Sequence, residues 1–180
     1  TSLFDDIDGI IVVKDKPEVI VENGKRILLA PWFYDPNNEV SHYDAMIGHF
    51  EFIGGKMNGG FSKIGYHQES MLSVAPLVFS GHYHLSSEIE KDIGKIVVIG
   101  SPYEQDWGDY GNPKRIIRFD GTDWENIYND VSPKFCKLKY SKLSSLKEDD
   151  LMKLFNNDIL KNGFIKIVSD TENGNAEEIN

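Results

Sequence analysis

The sequence predicts an α+β fold, strand-rich over residues 9–131 and ending in a small strand-helix-strand unit over 132–180. Three observations carry that expectation. Short β-branched and aromatic runs recur between glycine, proline and asparagine turns as far as about Val131. Among them only Gln68 to Val74 reads as a helix, ahead of Pro76. From Ser132 the composition turns lysine-rich, and Leu151, Leu154 and Phe155 fall at helical spacing between two strand-like runs. Strands joined by short connections suit one layer of a sheet sandwich. At 180 residues and 40% hydrophobic, the chain holds one ordinary core with a small appendage.

Gly9 to Val13 is the first β-branched run, and Lys16-Pro17 breaks it from the next, because proline cannot donate to a ladder. Glu18 to Val21 and Arg26 to Leu29 flank Asn23-Gly24, a strong two-residue hairpin signal. Ala30-Pro31-Trp32-Phe33 leads out of that hairpin into the turn cluster Asp35-Pro36-Asn37-Asn38. Trp32 and Phe33 read first as core or rim packing, with a base-stacking platform as the other use of such rings. Asp44 to Phe52 is the next strand, and Gly54 to Gly60 a glycine-rich loop that matches no phosphate-cradling spacing. Its Lys56 is either solvated or a phosphate contact. Lys95 to Ile99 is a strand, Trp107 to Pro113 a loop, and Arg115 to Phe119 with Asp123 to Tyr128 a second hairpin. In the lysine-rich part, Lys137 to Tyr140 alternates like a strand. Ser145-Leu146-Lys147-Glu148 reads as a capping box for a helix to about Leu160, which Asn162-Gly163 stops before a strand over Phe164 to Val168.

Chemistry gathers at the ends of two apolar runs. Leu77-Val78-Phe79-Ser80 reads as a buried strand and ends in Gly81-His82-Tyr83-His84, while Asp44-Ala45-Met46-Ile47 ends in Gly48-His49-Phe50. A buried strand delivers its C-terminal loop to a sheet rim, where ligands of open α/β sheets bind. Gly81 permits a sharp turn or a close approach. Paired histidines there serve either as transition-metal ligands or as polar strand ends in solvent. His42 and His67 lie outside both motifs.

G-H-F followed by S-G-H-Y-H resembles the C-terminal motifs of the calcineurin-like metallophosphoesterases. Ile99 to Gly111 contains G-S-P-Y and W-G-D, and this segment is similar to that of the DNA double-strand-break repair nucleases, bacterial SbcD and the recombination endonuclease subunit of tailed bacteriophages. The resemblance implies the C-terminal half of a metallophosphoesterase β-sandwich flanked by helices (1–131), then the start of a small α/β capping domain (132–180). It implies two divalent ions, manganese for preference, with His49 and His82 on one and His84 on the other. It places Lys56, Tyr103, Lys134, Lys137 and Lys139 toward substrate. The lysines also admit a plain solvated reading. The family's D-x-H, G-D-x-x-D and G-N-H-D/E motifs are absent, and Asp5-Asp6-Ile7-Asp8-Gly9 matches none of them. No catalytic acid or base is therefore expected in this chain, which both its ends and its motifs mark as a fragment inactive alone.

The formal charge of −10 argues against a surface that coats nucleic acid, since that affinity rests on lysine and arginine. It leaves room for a nuclease that grips one phosphate through metal ions and takes a basic surface from a partner. The implied partners are DNA, an ABC-type coiled-coil ATPase of the SbcC kind, and a second copy of the chain. Self-association is expected through Leu77, Val78, Phe79, Met46 and Ile47, which the absent half would otherwise cover. A phosphoesterase acting on phosphoproteins or small nucleotides, and a non-catalytic binding fragment, are the competing readings. No membrane span or leader is visible, so the cytoplasm of a bacterium or infected host is expected. The single cysteine, Cys136, excludes an intramolecular disulfide and reads as a small apolar packing group.

Overall fold

The computed structural model describes residues 7–156 and 162–169. Expectations that fall on 1–6, 157–161 and 170–180, including Asp5, Asp6 and the helix end near Leu160, lie outside the described residues. The fold is mixed α+β and strand-rich, in two compact units. Among the described residues, the first takes in 7–101 with Arg115–Tyr128, and the second Pro102–Lys114 with 129–156 and 162–169. The loop Pro102–Lys114 thus falls in the second unit.

In the first unit, β1 (Glu18–Glu22) and β2 (Lys25–Leu29) form the expected hairpin. Asn23 and Gly24 both take positive φ, 48° and 75°, the backbone of a type I′ turn. β3 (Ala45–Gly48), β6 (Leu77–Ser80) and β8 (Gly94–Val98) continue from β2 in parallel, and β7 (Ser87–Lys91) closes the far edge antiparallel to β8. The result is one six-stranded sheet ordered β1-β2-β3-β6-β8-β7. Parallel neighbours need a crossover, and α1 (Gln68–Val74) lies in the connection between β3 and β6.

Alternation sorts the strands' side chains onto two faces. Leu28, Met46, Val78 and Ile96 stand in register on one face and join Met71, Leu72 and Val74 of α1, with Phe50, Phe52 and Tyr83, in the main core. On the other face the hairpin of β9 (Arg115–Phe119) and β10 (Trp124–Tyr128) packs over β6, with Phe79 5.0 Å from Phe119 and 6.0 Å from Trp124 between ring centroids. Arg115 anchors it by donating to the Val98 and Ile99 carbonyls and to Asn126. At its other end Asn23 donates to the Asp120 carbonyl at 2.8 Å. Met46, Val78 and Phe79 are consequently buried and Leu77 and Ile47 half-buried, contrary to the expectation that these five would be uncovered.

Several local expectations change. Gly9 to Val13 forms no strand, because its run meets no partner edge, and Ile10 and Ile11 remain exposed. The strand expected over Asp44 to Phe52 ends at Gly48, and Phe50 turns into the core. The glycine-rich loop folds back as a two-residue-per-strand hairpin, β4 (Lys56–Met57) and β5 (Gly60–Phe61). The cluster at Asp35 is a 3₁₀ turn over Pro36–Asn38 that the Asp35 carboxylate caps.

The second unit is a strand-helix-strand motif, β11 (Phe135–Lys139), α2 (Tyr140–Ser144), α3 (Glu148–Phe155) and β12 (Phe164–Val168), with β11 and β12 parallel. The capping box is not formed: Lys147 stands at the N-cap of α3 without a side-chain bond, and the Ser145 hydroxyl donates backward to the Lys142 carbonyl. Lys137 and Lys166 face each other across the pair, a repulsive arrangement. Each ammonium lies over a ring of the loop, Tyr110 at 5.2 Å and Trp107 at 5.8 Å, which offsets it. Trp107 packs edge-on to Phe135, and Asp109 pairs with Lys114 at 2.9 Å, both buried. These contacts tie the loop to this unit.

Candidate metal-binding site

Parallel pairing in register brings β3 and β6 to an end together, with Gly48 opposite Ser80 and the Gly81 N–H donating to the Gly48 carbonyl at 3.1 Å. The residues that follow, His49 and His82, therefore meet. Their ring centroids lie 5.2 Å apart, edge to face. Gly81 is not among the positive-φ glycines, and a Cβ there would meet His49 Nδ1 at an ordinary contact distance of 3.4 Å, so neither a sharp turn nor a close approach demands glycine at this position.

Two buried hydroxyls fasten the strand ends to each other. Ser80 Oγ donates to the Phe50 carbonyl at 3.1 Å and accepts from the Phe50 N–H at 3.4 Å. Tyr83 points into the core between the two histidines, donating to the Phe52 carbonyl at 2.6 Å and accepting from the Phe52 N–H at 3.0 Å. Its ring lies where a Cβ on Gly55 would be, 2.0 Å away, so position 55 accepts only glycine without rearrangement. The i, i+2 spacing follows from this inward anchor: with Tyr83 turned in, His82 and His84 both turn out.

His84 is exposed and borders a cavity of about 340 Å³ with His82, Lys56, Asn58 and Leu85, so the β4–β5 hairpin forms a wall of the site. His49 is exposed at the rim, yet desolvation by its neighbours, followed by the charge that His82 and His84 would carry, holds it below the ordinary histidine range, which favours the neutral imidazole. His82 Nδ1 is buried without a hydrogen-bond partner, and Glu51 Oε1 stands 3.9 Å from Nε2 on its other side. A neutral ring and an unsatisfied ring nitrogen are the donor chemistry a transition metal uses. Among the described residues no three His, Cys, Asp or Glu side chains converge to hold an ion by themselves. The histidines thus suit one side of a metal centre.

Trp32, expected in core or rim packing, takes the rim. It packs on His49 at 4.6 Å and lies 6.0 Å from His82, yet it is 58% exposed, and Phe33 is 89% exposed, so neither is a core residue. The strand order accounts for this placement. β2 is parallel to β3 and ends at the same rim, where the Ala30 N–H donates to the Ile47 carbonyl at 2.8 Å. Three adjacent strands thus deliver Trp32, His49 and His82 in turn. The other histidines have structural places, His42 Nδ1 on the Ser73 carbonyl at 2.8 Å and His67 at the N-cap of α1.

Of the remaining expected residues, Lys56 lines the histidine cavity, whereas Tyr103, Lys134, Lys137 and Lys139 belong to the second unit. There Lys134 Nζ donates to the Asn129 carbonyl at 2.7 Å, and Tyr103 borders a cavity with Phe135 and Phe164. No protein-family model matches the chain, and no curated protein matches it either.

Proposed function

We propose that the chain is the C-terminal, metal-binding part of a metallophosphoesterase-type DNA nuclease that hydrolyses phosphodiester bonds in recombination and double-strand-break repair. The observation that carries this reading is the meeting of His49 and His82 at one sheet rim, with His84 and Lys56 around the adjoining cavity. His49 and His82 would hold one divalent ion and His84 a second, manganese being preferred. Such a pair supplies an activated water and neutralises charge on the phosphoryl oxygens. Tyr83 holds the spacing of the two outward histidines, and the Lys56 ammonium meets a phosphate oxygen. The histidine that protonates the leaving group would come from a G-N-H-D/E segment, not from the described residues.

The same proposal makes DNA and an ABC-type coiled-coil ATPase the partners, with the lysine-bearing second unit on DNA, and the cytoplasm of a bacterium or phage-infected host the location. Among the described residues no helix is long and apolar enough to cross a membrane. Self-association belongs to the proposal too, and its expected surface moves from β6 to the edge strand β1, where Val19 and Val21 are exposed. Sedimentation as a monomer at tens of micromolar removes that part.

Cleavage is tested by supplying the chain with a second polypeptide that carries D-x-H, G-D-x-x-D and G-N-H-D/E. Manganese-dependent cutting of linear DNA, lost with His82→Ala, is the expected result, and the chain alone stays inactive. Hydrolysis of phosphoproteins or mononucleotides in preference to DNA would assign the site to another phosphoesterase class.

A further inference from the structure

The exposed indole beside the histidines is not explained by metal binding. One face of Trp32 lies against His49, and more than half of the residue remains open to solvent, with Phe33 still more exposed beside it. Burying such a ring in the core is the ordinary outcome for a large apolar side chain. Here the parallel ends of β2, β3 and β6 instead hold it at the rim where the histidines emerge. His82 is near both features: its ring centroid lies 6.0 Å from that of Trp32, and it lines the cavity with Lys56 and His84. A ligand that engages both presents an anionic group to the histidines and Lys56 and a planar, polarisable group to the indole. A nucleotide combines the two within one unit, whereas a phosphorylated serine or threonine offers no ring.

Resting on the nuclease reading, we propose that Trp32 is a base-stacking platform, and that it takes an unpaired nucleobase adjoining the phosphate held at His49, His82 and His84. Stacking reads the π-face common to all bases, so the platform tolerates any sequence and selects a frayed or single-stranded end over intact duplex. It sets which nucleotide adjoins the cut.

The test measures binding of short single-stranded oligonucleotides to the 180-residue chain with manganese, moving one abasic site through each position in turn. At one position, loss of the base weakens binding to the wild-type chain by about 5- to 150-fold, the range measured for base–aromatic stacking. Trp32→Ala shows the same loss with the intact oligonucleotide and none further with the abasic one, while Trp32→Tyr keeps most of the affinity. Should Trp32→Ala fail to fold, the wild-type abasic scan with Trp32→Tyr decides the matter. Equal binding of intact and abasic strands overturns the platform alone. Equal weakening of both by Trp32→Ala also overturns it, and shows the indole merely props His49. No binding of any strand, even with the second polypeptide added, overturns the platform together with the nuclease reading.

Discussion

Replacing Tyr83 by Phe removes one oxygen and leaves the ring that fills the space above Gly55 and packs edge-on against Phe52 at 5.1 Å. The hydroxyl makes two bonds to one residue, and the two losses differ. The Phe52 carbonyl keeps a second donor, the Gly55 N–H at 3.2 Å. No other bond is recorded for the Phe52 N–H, and Phe52 is fully buried. A net hydrogen bond is worth about 1 kcal/mol, and stranding a buried donor costs about 1–3 kcal/mol, so the substitution should destabilise the protein by about 2–4 kcal/mol. Against a typical domain stability of about 5–15 kcal/mol, that is readily seen in urea unfolding. Because Tyr83 holds the spacing of His82 and His84, manganese affinity should fall in the same variant under conditions where it is fully folded. A loss below about 0.5 kcal/mol with unchanged metal affinity would refute the anchoring role, since an ordinary hydrogen bond alone exceeds it.

Two further outcomes follow from the geometry. The folded His49 titrates below its unfolded value, so its contribution to stability is full above the ordinary histidine pKa, near 6.5, and is lost as pH falls through the lowered folded value. Urea midpoints should therefore drop between pH 7.5 and 5.5, above the range where carboxylates protonate, and His49→Asn should shrink the drop. In the second unit, Lys137→Gln with Lys139→Gln should flatten the salt dependence of duplex binding by about 0.9 in slope for each phosphate contact removed. An unchanged slope would show that these lysines make no phosphate contact. Lys134 is left intact in that test because its ammonium holds the Asn129 carbonyl.

Features governed by local chemistry were legible in the sequence. Asn23-Gly24 demanded a turn with positive φ, and Gln68 to Val74 stands as α1 with the bounds its pattern suggested. The strand ends at His49 and His82 followed from apolar runs that stop at glycine. What depended on partners was not legible. Gly9 to Val13 has strand composition but meets no edge, while Ser87–Lys91, polar or charged at every position but Ile89, becomes a strand because β8 offers one. The Ser145 motif had capping spacing, yet α2 ends there and takes its hydroxyl. The loop after Ser101 lies with the second unit because Trp107 and Tyr110 find lysines and Phe135 there. Trp32 was legible only as core or rim packing, because its exposure is set by the order of β2, β3 and β6, which no single stretch reveals.

The five histidines supply the most direct test, because two of them, His42 and His67, serve as internal controls. Titrating manganese into the nitrogen-15-labelled chain and following ring resonances by NMR reports proximity of the ion to each histidine, even when binding is weak. The account predicts that His49, His82 and His84 broaden first and together, well before the two controls. Broadening of all five alike, or of His42 or His67 ahead of the others, would contradict the claim that the ends of β3 and β6 form a metal-binding rim.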